Sequence, residues 1–80
     1  MSLTLLLRVA GSTDTSEYLL HDGYDFASAQ ETVDTAIDRN QPLRLALANG
    51  NTVIAKLRNF RLIAVVDTDR LALNRHRFRL

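Results

Sequence analysis

The chain contains no cysteine, and this absence excludes several kinds of chemistry at once. Disulfide bonds, thiolate catalysis and most structural zinc sites all require cysteine, so none of them is expected. A fold without disulfides needs no oxidising compartment, and we predict a cytoplasmic location. Proline and glycine are also scarce, with one and three residues, and no linker or repeat divides the chain.

Long apolar runs are missing as well. The opening apolar stretch ends at Arg8, and no stretch approaches the roughly 20 apolar residues of a spanning helix, so we predict no membrane association. With 80 residues, of which 46% are hydrophobic and 24% charged, the sequence fits one globular domain, residues 1–80. A domain this small buries only about 60% of its unfolded surface, and association of copies is a common way to bury more.

Recognisable phosphate-binding and nucleophile motifs are absent from the sequence. Gly11, Gly23 and Gly50 are isolated turn glycines, so there is no G-x-G-x-x-G or Walker loop. No serine occurs in a G-x-S-x-G context. We therefore expect no enzymatic activity and no cofactor.

Two groups of polar residues are candidate chemical sites. Glu31, Asp34 and Asp38 lie on neighbouring turns of a predicted helix and offer carboxylate oxygens to a hard cation. A solvated acidic face is the favoured interpretation, because no glycine-turned loop and no further oxygen ligands accompany them. His21-Asp22 and the distant His76 offer an acid–base pair in principle, but a surface position at the end of a strand is the favoured interpretation of His21. We predict no metal site.

The first part of the chain predicts a β-hairpin. Leucines at positions 3, 5 and 7, with Val9, fall on one face at a period of two, which is typical of a half-buried strand. Residues 11–15 supply a polar turn, and residues 17–21 read as a short second strand.

The next segment changes its period and predicts one amphipathic helix. An apolar stripe recurs at three- and four-residue spacing, formed by Phe26, Ala29, Val33, Ala36 and Ile37. Its start is marked by Asp25 and by a capping box from Ser28 to Glu31. Asn40, which tolerates the left-handed conformation, and Pro42 mark its end. Phe26, Val33 and Ile37 are expected to hold the helix to a sheet.

Asn49-Gly50 predicts a second hairpin, between strands at residues 43–48 and 51–57. A two-residue loop would place Leu45 opposite Ile54, whereas a three-residue loop with a bulged Gly50 would place Leu45 opposite Val53. We favour the second register, because it gathers apolar side chains on one face and sends Arg44, Lys56 and Arg58 to solvent.

The last part of the chain predicts further strands. Residues 60–66 are apolar on both faces, which favours a central position in the sheet. Residues 70–80 alternate again and predict a basic C-terminal strand or tail. The predicted architecture is α+β, with a single amphipathic helix packed on a mainly antiparallel sheet in the order β-β-α-β-β-β.

Two stretches occur within this order of elements. Residues 45–50, Leu-Ala-Leu-Ala-Asn-Gly, lead into Val53, and the apolar residues 62–66 follow. Together they resemble small uncharacterised actinobacterial domains built as β-β-α-β-β. The resemblance covers roughly residues 3–66 and implies a fold, but no site residues. Nine of the ten basic residues are arginine, a bias typical of GC-rich bacterial genomes.

Charge is distributed unevenly along the chain. The first 40 residues hold seven acids and two bases, a net charge of −5, and the last 40 hold eight bases and two acids, a net charge of +6. Such polarity suits an acidic partner or draws two oppositely charged halves together. The candidate contact residues for a partner or a nucleic acid are Arg58, Arg61, Arg70, Arg75, Arg77, Phe78 and Arg79.

Two functions follow from these patterns. The first is a small non-enzymatic protein-interaction module that self-associates as a homodimer through an edge strand. The alternative is a weak, sequence-tolerant nucleic-acid binder that uses the C-terminal arginines. On a strand, Arg75, Arg77 and Arg79 would project to one face at intervals of about 6.6 Å. No aromatic array supports base stacking, so we favour the interaction module.

Overall fold

The computed structural model describes residues 2–78. In chain order its elements are β1 (Leu3–Val9), β2 (Ser16–Leu19), α1 (Phe26–Asp38), β3 (Leu43–Ala46), β4 (Thr52–Ala55), β5 (Phe60–Asp67) and α2 (Thr68–Phe78). A short 3-10 turn, Leu57–Asn59, joins β4 to β5. The predicted α+β class and the order β-β-α-β-β-β are confirmed, and α2 is an additional element.

A three-stranded antiparallel sheet, in the order β2-β1-β5, forms the centre of the fold. Its middle strand, β1, buries Leu3, Leu5 and Leu7, as the period-two pattern predicts, while Val9 at its end is half exposed. On the opposite face Thr4 is buried too, and its hydroxyl lies 2.8 Å from the hydroxyl of Thr68. β1 is therefore hydrogen-bonded on both sides and also buried on both faces over this stretch.

The N-terminus of α1 is fixed by a reciprocal pair of hydrogen bonds. The Asp25 carboxylate accepts from the backbone N–H of Ser28 at 2.7 Å, and the Ser28 hydroxyl accepts from the Asp25 N–H at 3.3 Å. This is a capping box that begins at Asp25. The predicted start at Asp25 is confirmed. The predicted box from Ser28 to Glu31 is wrong, because Ser28 is already the third residue of the Asp25 box.

The C-terminus of α1 lies where the sequence places it. Asn40 has a φ of 52°, in the left-handed region. Its N–H donates to the Ile37 carbonyl at 3.2 Å, and the Gln41 N–H donates to the Ala36 carbonyl at 2.9 Å. These two bonds satisfy carbonyls that the helix end would otherwise leave free.

The buried stripe of α1 is narrower than predicted. Ala29, Val33 and Ala36 are buried, but Phe26 and Ile37 are 48% and 51% exposed. Val33 is therefore a core residue as predicted, whereas the prediction is wrong for Phe26 and Ile37. The centre of the stripe is Val33, and the small side chains of the alanines on either side of it let the helix backbone approach the sheet. Phe26 and Ile37 lie in the first and last turns, at the margin of that contact.

The hairpin of β3 and β4 adopts the favoured register, with Leu45 opposite Val53. Gly50 has a φ of 87°, which a glycine adopts without strain. The side-chain carbonyl of Asn49 accepts from the Asn51 N–H at 3.0 Å and closes the turn. Four side chains of this region join the core, namely Leu43, Leu45, Ala55 and Leu57. Arg44, Lys56 and Arg58 are exposed, as predicted.

The hairpin joins the three-stranded sheet at one corner. Leu20 and Leu47 form an isolated antiparallel bridge. On either side of it, the His21 N–H donates to the Ala46 carbonyl and the Ala48 N–H donates to the Leu19 carbonyl, both at 3.0 Å. Leu20 is buried at this junction. The two sheets and α1 therefore enclose one core.

The position predicted for β5 is wrong. β5 lies at an edge of the three-stranded sheet, and β1 takes the central place. Apolar residues occur on both faces of β5 because each face is at least partly buried. The core packs on one face, and the other face is half-buried. Burial of both faces does not require a strand on each side.

The predicted C-terminal strand is also wrong over its described part, because Thr68–Phe78 is a helix. The Asp67 carboxylate accepts from the backbone N–H groups of Asp69 at 2.8 Å and of Arg70 at 3.4 Å, as a helix cap does. Behind this cap Thr68 is the only β-branched residue, while residues 71–73 are leucine and alanine, which favour helix. The cap and these propensities outweigh the alternating pattern. Residues 79 and 80 lie outside the described part.

Candidate interaction surface

One side of β5 has no partner strand in the described chain. Successive residues of an antiparallel strand turn their N–H and C=O groups to opposite sides. The Thr68 N–H donates to the Ser2 carbonyl at 2.9 Å, in line with the register that pairs Leu3 with Asp67. Even-numbered residues of β5, such as Ala64, therefore bond to β1.

The odd-numbered residues Ile63 and Val65 turn their backbone groups away from β1. Within residues 2–78 no strand receives them, because the sheet ends at β5. The other side of the sheet differs, since Leu19 and His21 at the end of β2 bond to the β3–β4 hairpin. β5 is also the longest strand, with eight residues. We call its unpaired side the β5 edge.

The β5 edge is apolar over five consecutive residues, Leu62–Val66. Val65 is buried in the core, and the other four are half-buried. Natural edge strands are commonly short, or carry lysine, proline or a bulge that discourages pairing with another chain. The straight part of β5 has neither lysine nor proline. Its protective feature is a bulge at Arg61, opposite the step between Arg8 and Val9.

A cavity of about 450 Å³ opens beside Ile63. It lies between the end of α1, the loop that follows and the 3-10 turn, and its walls include Ala36, Ile37, Pro42, Leu57, Lys56 and Arg58. Ile37 is half exposed because it borders this cavity instead of packing into the core. The cavity extends the apolar surface from the β5 edge to α1.

Within the described chain, the predicted contact residues lie on three different elements. Arg58 lies in the 3-10 turn, Arg61 at the bulge of β5 and Arg70 in the first turn of α2, and all three are exposed. Positions 75, 77 and 78 are in α2, whose helical backbone removes the strand spacing that predicted a common face for Arg75, Arg77 and Arg79. Arg79 lies outside the described residues.

Several titratable residues accept hydrogen bonds from residues close to them in the sequence. His21 accepts from the Gly23 N–H through Nδ1 at 2.9 Å, and Asp34 accepts from the Gln30 side-chain amide at 3.0 Å. The backbone N–H of Ser28, followed by its hydroxyl, holds the pKa of Asp25 below its ordinary value of 3.8. In the described part of the chain, no three histidine or acidic residues gather as metal ligands would.

No protein-family model matches the chain, and searches of curated proteins and of solved structures return no similar protein. Among residues 2–78, neither helix combines the length and the apolar character needed to cross a bilayer.

The sequence pattern did not predict this surface, because it favoured residues 60–66 as a central strand and residues 70–80 as the last strand. Ile63 and Val65 belong to the most apolar run of the chain, which read as the centre of a sheet. The available signal lay in residues 67–73, because Asp67 is a residue type that caps helices and residues 71–73 are leucine and alanine, which favour helix.

Proposed function

We propose that this chain is a small, non-enzymatic protein-interaction module of the bacterial cytoplasm that forms a homodimer through the β5 edge. The observation that supports this most directly is the unpaired side of a long apolar strand, where Ile63 and Val65 point their backbone groups outward. Such an edge is a template for pairing with another strand. The self-association was predicted for a C-terminal edge strand, and we now assign it to β5.

A second copy is the occupant that this edge fits best. Antiparallel pairing of β5 with itself satisfies the same backbone groups in both copies, as a two-fold interface requires. It also shields the half-buried side chains of Leu62, Ala64 and Val66 from water. For a domain of this size, the additional buried surface is a substantial contribution to stability.

Sedimentation velocity over a range of protein concentrations tests the proposal. We expect a dimer at micromolar concentration in the unmodified protein. Ile63→Pro should yield a monomer, because proline removes an outward N–H that the β1–β5 ladder does not use. Ile63→Ala is the matched control, since it loses the same side chain but keeps the N–H, and it should still dimerise. A monomer at every concentration of the unmodified protein would exclude this function.

A further inference from the structure

We infer that the two copies pair β5 with β5 in one antiparallel register, with the two-fold axis at Ala64. This inference rests on the proposed function and specifies the geometry of its partner. The bulge at Arg61 ends the straight part of the edge on one side. On the other side Asp67 caps α2 and turns the chain out of the sheet. The straight segment between these limits is Leu62–Val66, and Ala64 is its centre.

The backbone groups of the β5 edge fit this register. With the axis at Ala64, Ile63 of one copy lies opposite Val65 of the other. Both residues turn their N–H and C=O groups outward, so each of the two symmetric pairs exchanges two hydrogen bonds. The two three-stranded sheets then continue as one sheet in the order β2-β1-β5-β5-β1-β2.

Charge distinguishes this register from its neighbours. Pairing about Ala64 brings the Arg61 end of each straight segment to the Asp67 end of the other, so opposite charges lie near each other at both ends of the interface. An axis at Ile63 would place Arg61 against Val65, and an axis at Val65 would place Asp67 against Ile63. Opposite charges across strands stabilise a sheet, whereas a charge facing an aliphatic side chain gains no such contact.

The cavity beside Ile63 borders a residue that pairs across the axis. Ile63 and Val65 have their side chains on the core face of the sheet, where Leu7 and Leu5 are their neighbours in β1. In the inferred register, Val65 of the second copy lies next to Ile63, the residue of β5 that lines the cavity. The aliphatic surface of both copies is thereby continuous across the axis.

Disulfide trapping tests the register, because the chain has no cysteine of its own. Ala64 would face itself across the axis in a pair that shares no hydrogen bonds, with Cα atoms about 4.5 Å apart. That distance lies within the range of about 4.4–6.8 Å that disulfides span. Ala64→Cys should therefore form a covalent dimer on mild oxidation. Leu62→Cys and Val66→Cys should each fail alone and cross-link when mixed.

Thr13→Cys, in an exposed loop far along the chain from β5, is the control for random collision. Cross-linking through position 64 should be faster by on the order of a thousandfold, because paired strands give a millimolar effective concentration in place of a micromolar one. If the unmodified protein sediments as a dimer but Ala64→Cys cross-links no faster than the control, the register is wrong and the proposed function stands. If the unmodified protein stays monomeric, both are wrong.

Discussion

Val33→Ala should destabilise the fold more than Ile37→Ala, although the isoleucine loses more atoms. Val33 is 2% exposed and Ile37 is 51% exposed, on the same helix. Removing two buried carbons from Val33 costs about 0.8 kcal/mol each, and the cavity left behind adds to this. Alanine regains roughly 0.5 kcal/mol through its helix propensity. The expected net loss is about 1–2.5 kcal/mol.

The same reasoning gives a smaller value for Ile37. Three carbons are lost, but about half of their surface is already in water, so the transfer cost is about 1.2 kcal/mol before the helix propensity offsets part of it. The net loss should be below about 1 kcal/mol. Urea unfolding followed by circular dichroism, below the concentration at which the protein associates, measures both values. An Ile37→Ala cost equal to or above that of Val33→Ala would refute this account of the core.

Three further predictions address the helix cap, the hairpin and nucleic acid. The stability that ionised Asp25 adds should be complete above its ordinary pKa of 3.8 and should fade as the pH falls through its lowered pKa in the folded state. The free energies of unfolding of the unmodified protein and of Asp25→Asn should therefore converge as the pH is lowered. A difference between them that stays constant with pH would contradict the cap. Gly50→Ala should cost about 1–2 kcal/mol in urea unfolding, because its φ is positive while the space around it is open; a neutral effect would argue against the bulged turn. Fluorescence anisotropy should detect no salt-dependent binding of a generic DNA duplex, whereas a slope of log K against log salt near −2.7, about 0.9 for each of three phosphates, would favour the nucleic-acid alternative.

Features with local causes could be predicted from the sequence. Asp25 and Asn40 mark the ends of α1 through bonds to residues within a few positions of them. Asn49-Gly50 determines the hairpin and its register through the positive φ of Gly50. Leu3, Leu5 and Leu7 occupy every second position of β1, and their common face follows from that spacing alone.

Features that depend on distant segments could not be predicted. The place of β5 at the edge depends on β1, more than 50 residues earlier, accepting it as a neighbour on one side. An apolar pattern reports that both faces are covered, and it does not count neighbouring strands. The cavity beside Ile63 depends on how α1 meets the 3-10 turn. The helical spacing of Ile37 does not reveal that this cavity lies beside it, and the spacing alone therefore predicted a core position. The alternating pattern of residues 70–80 predicted a strand, but Asp67 caps a helix there.

Residue-resolved amide hydrogen exchange tests the β5 edge most directly. In a monomer the amides of Ala64 and Val66, which bond to β1, are protected, while those of Ile63 and Val65 have no partner strand in the described chain and should exchange faster. Pairing with a second copy should protect Ile63 and Val65 as the protein concentration rises, without changing Ala64 and Val66. Fast exchange at Ile63 and Val65 in a sample that sediments as a dimer would contradict association through the β5 edge.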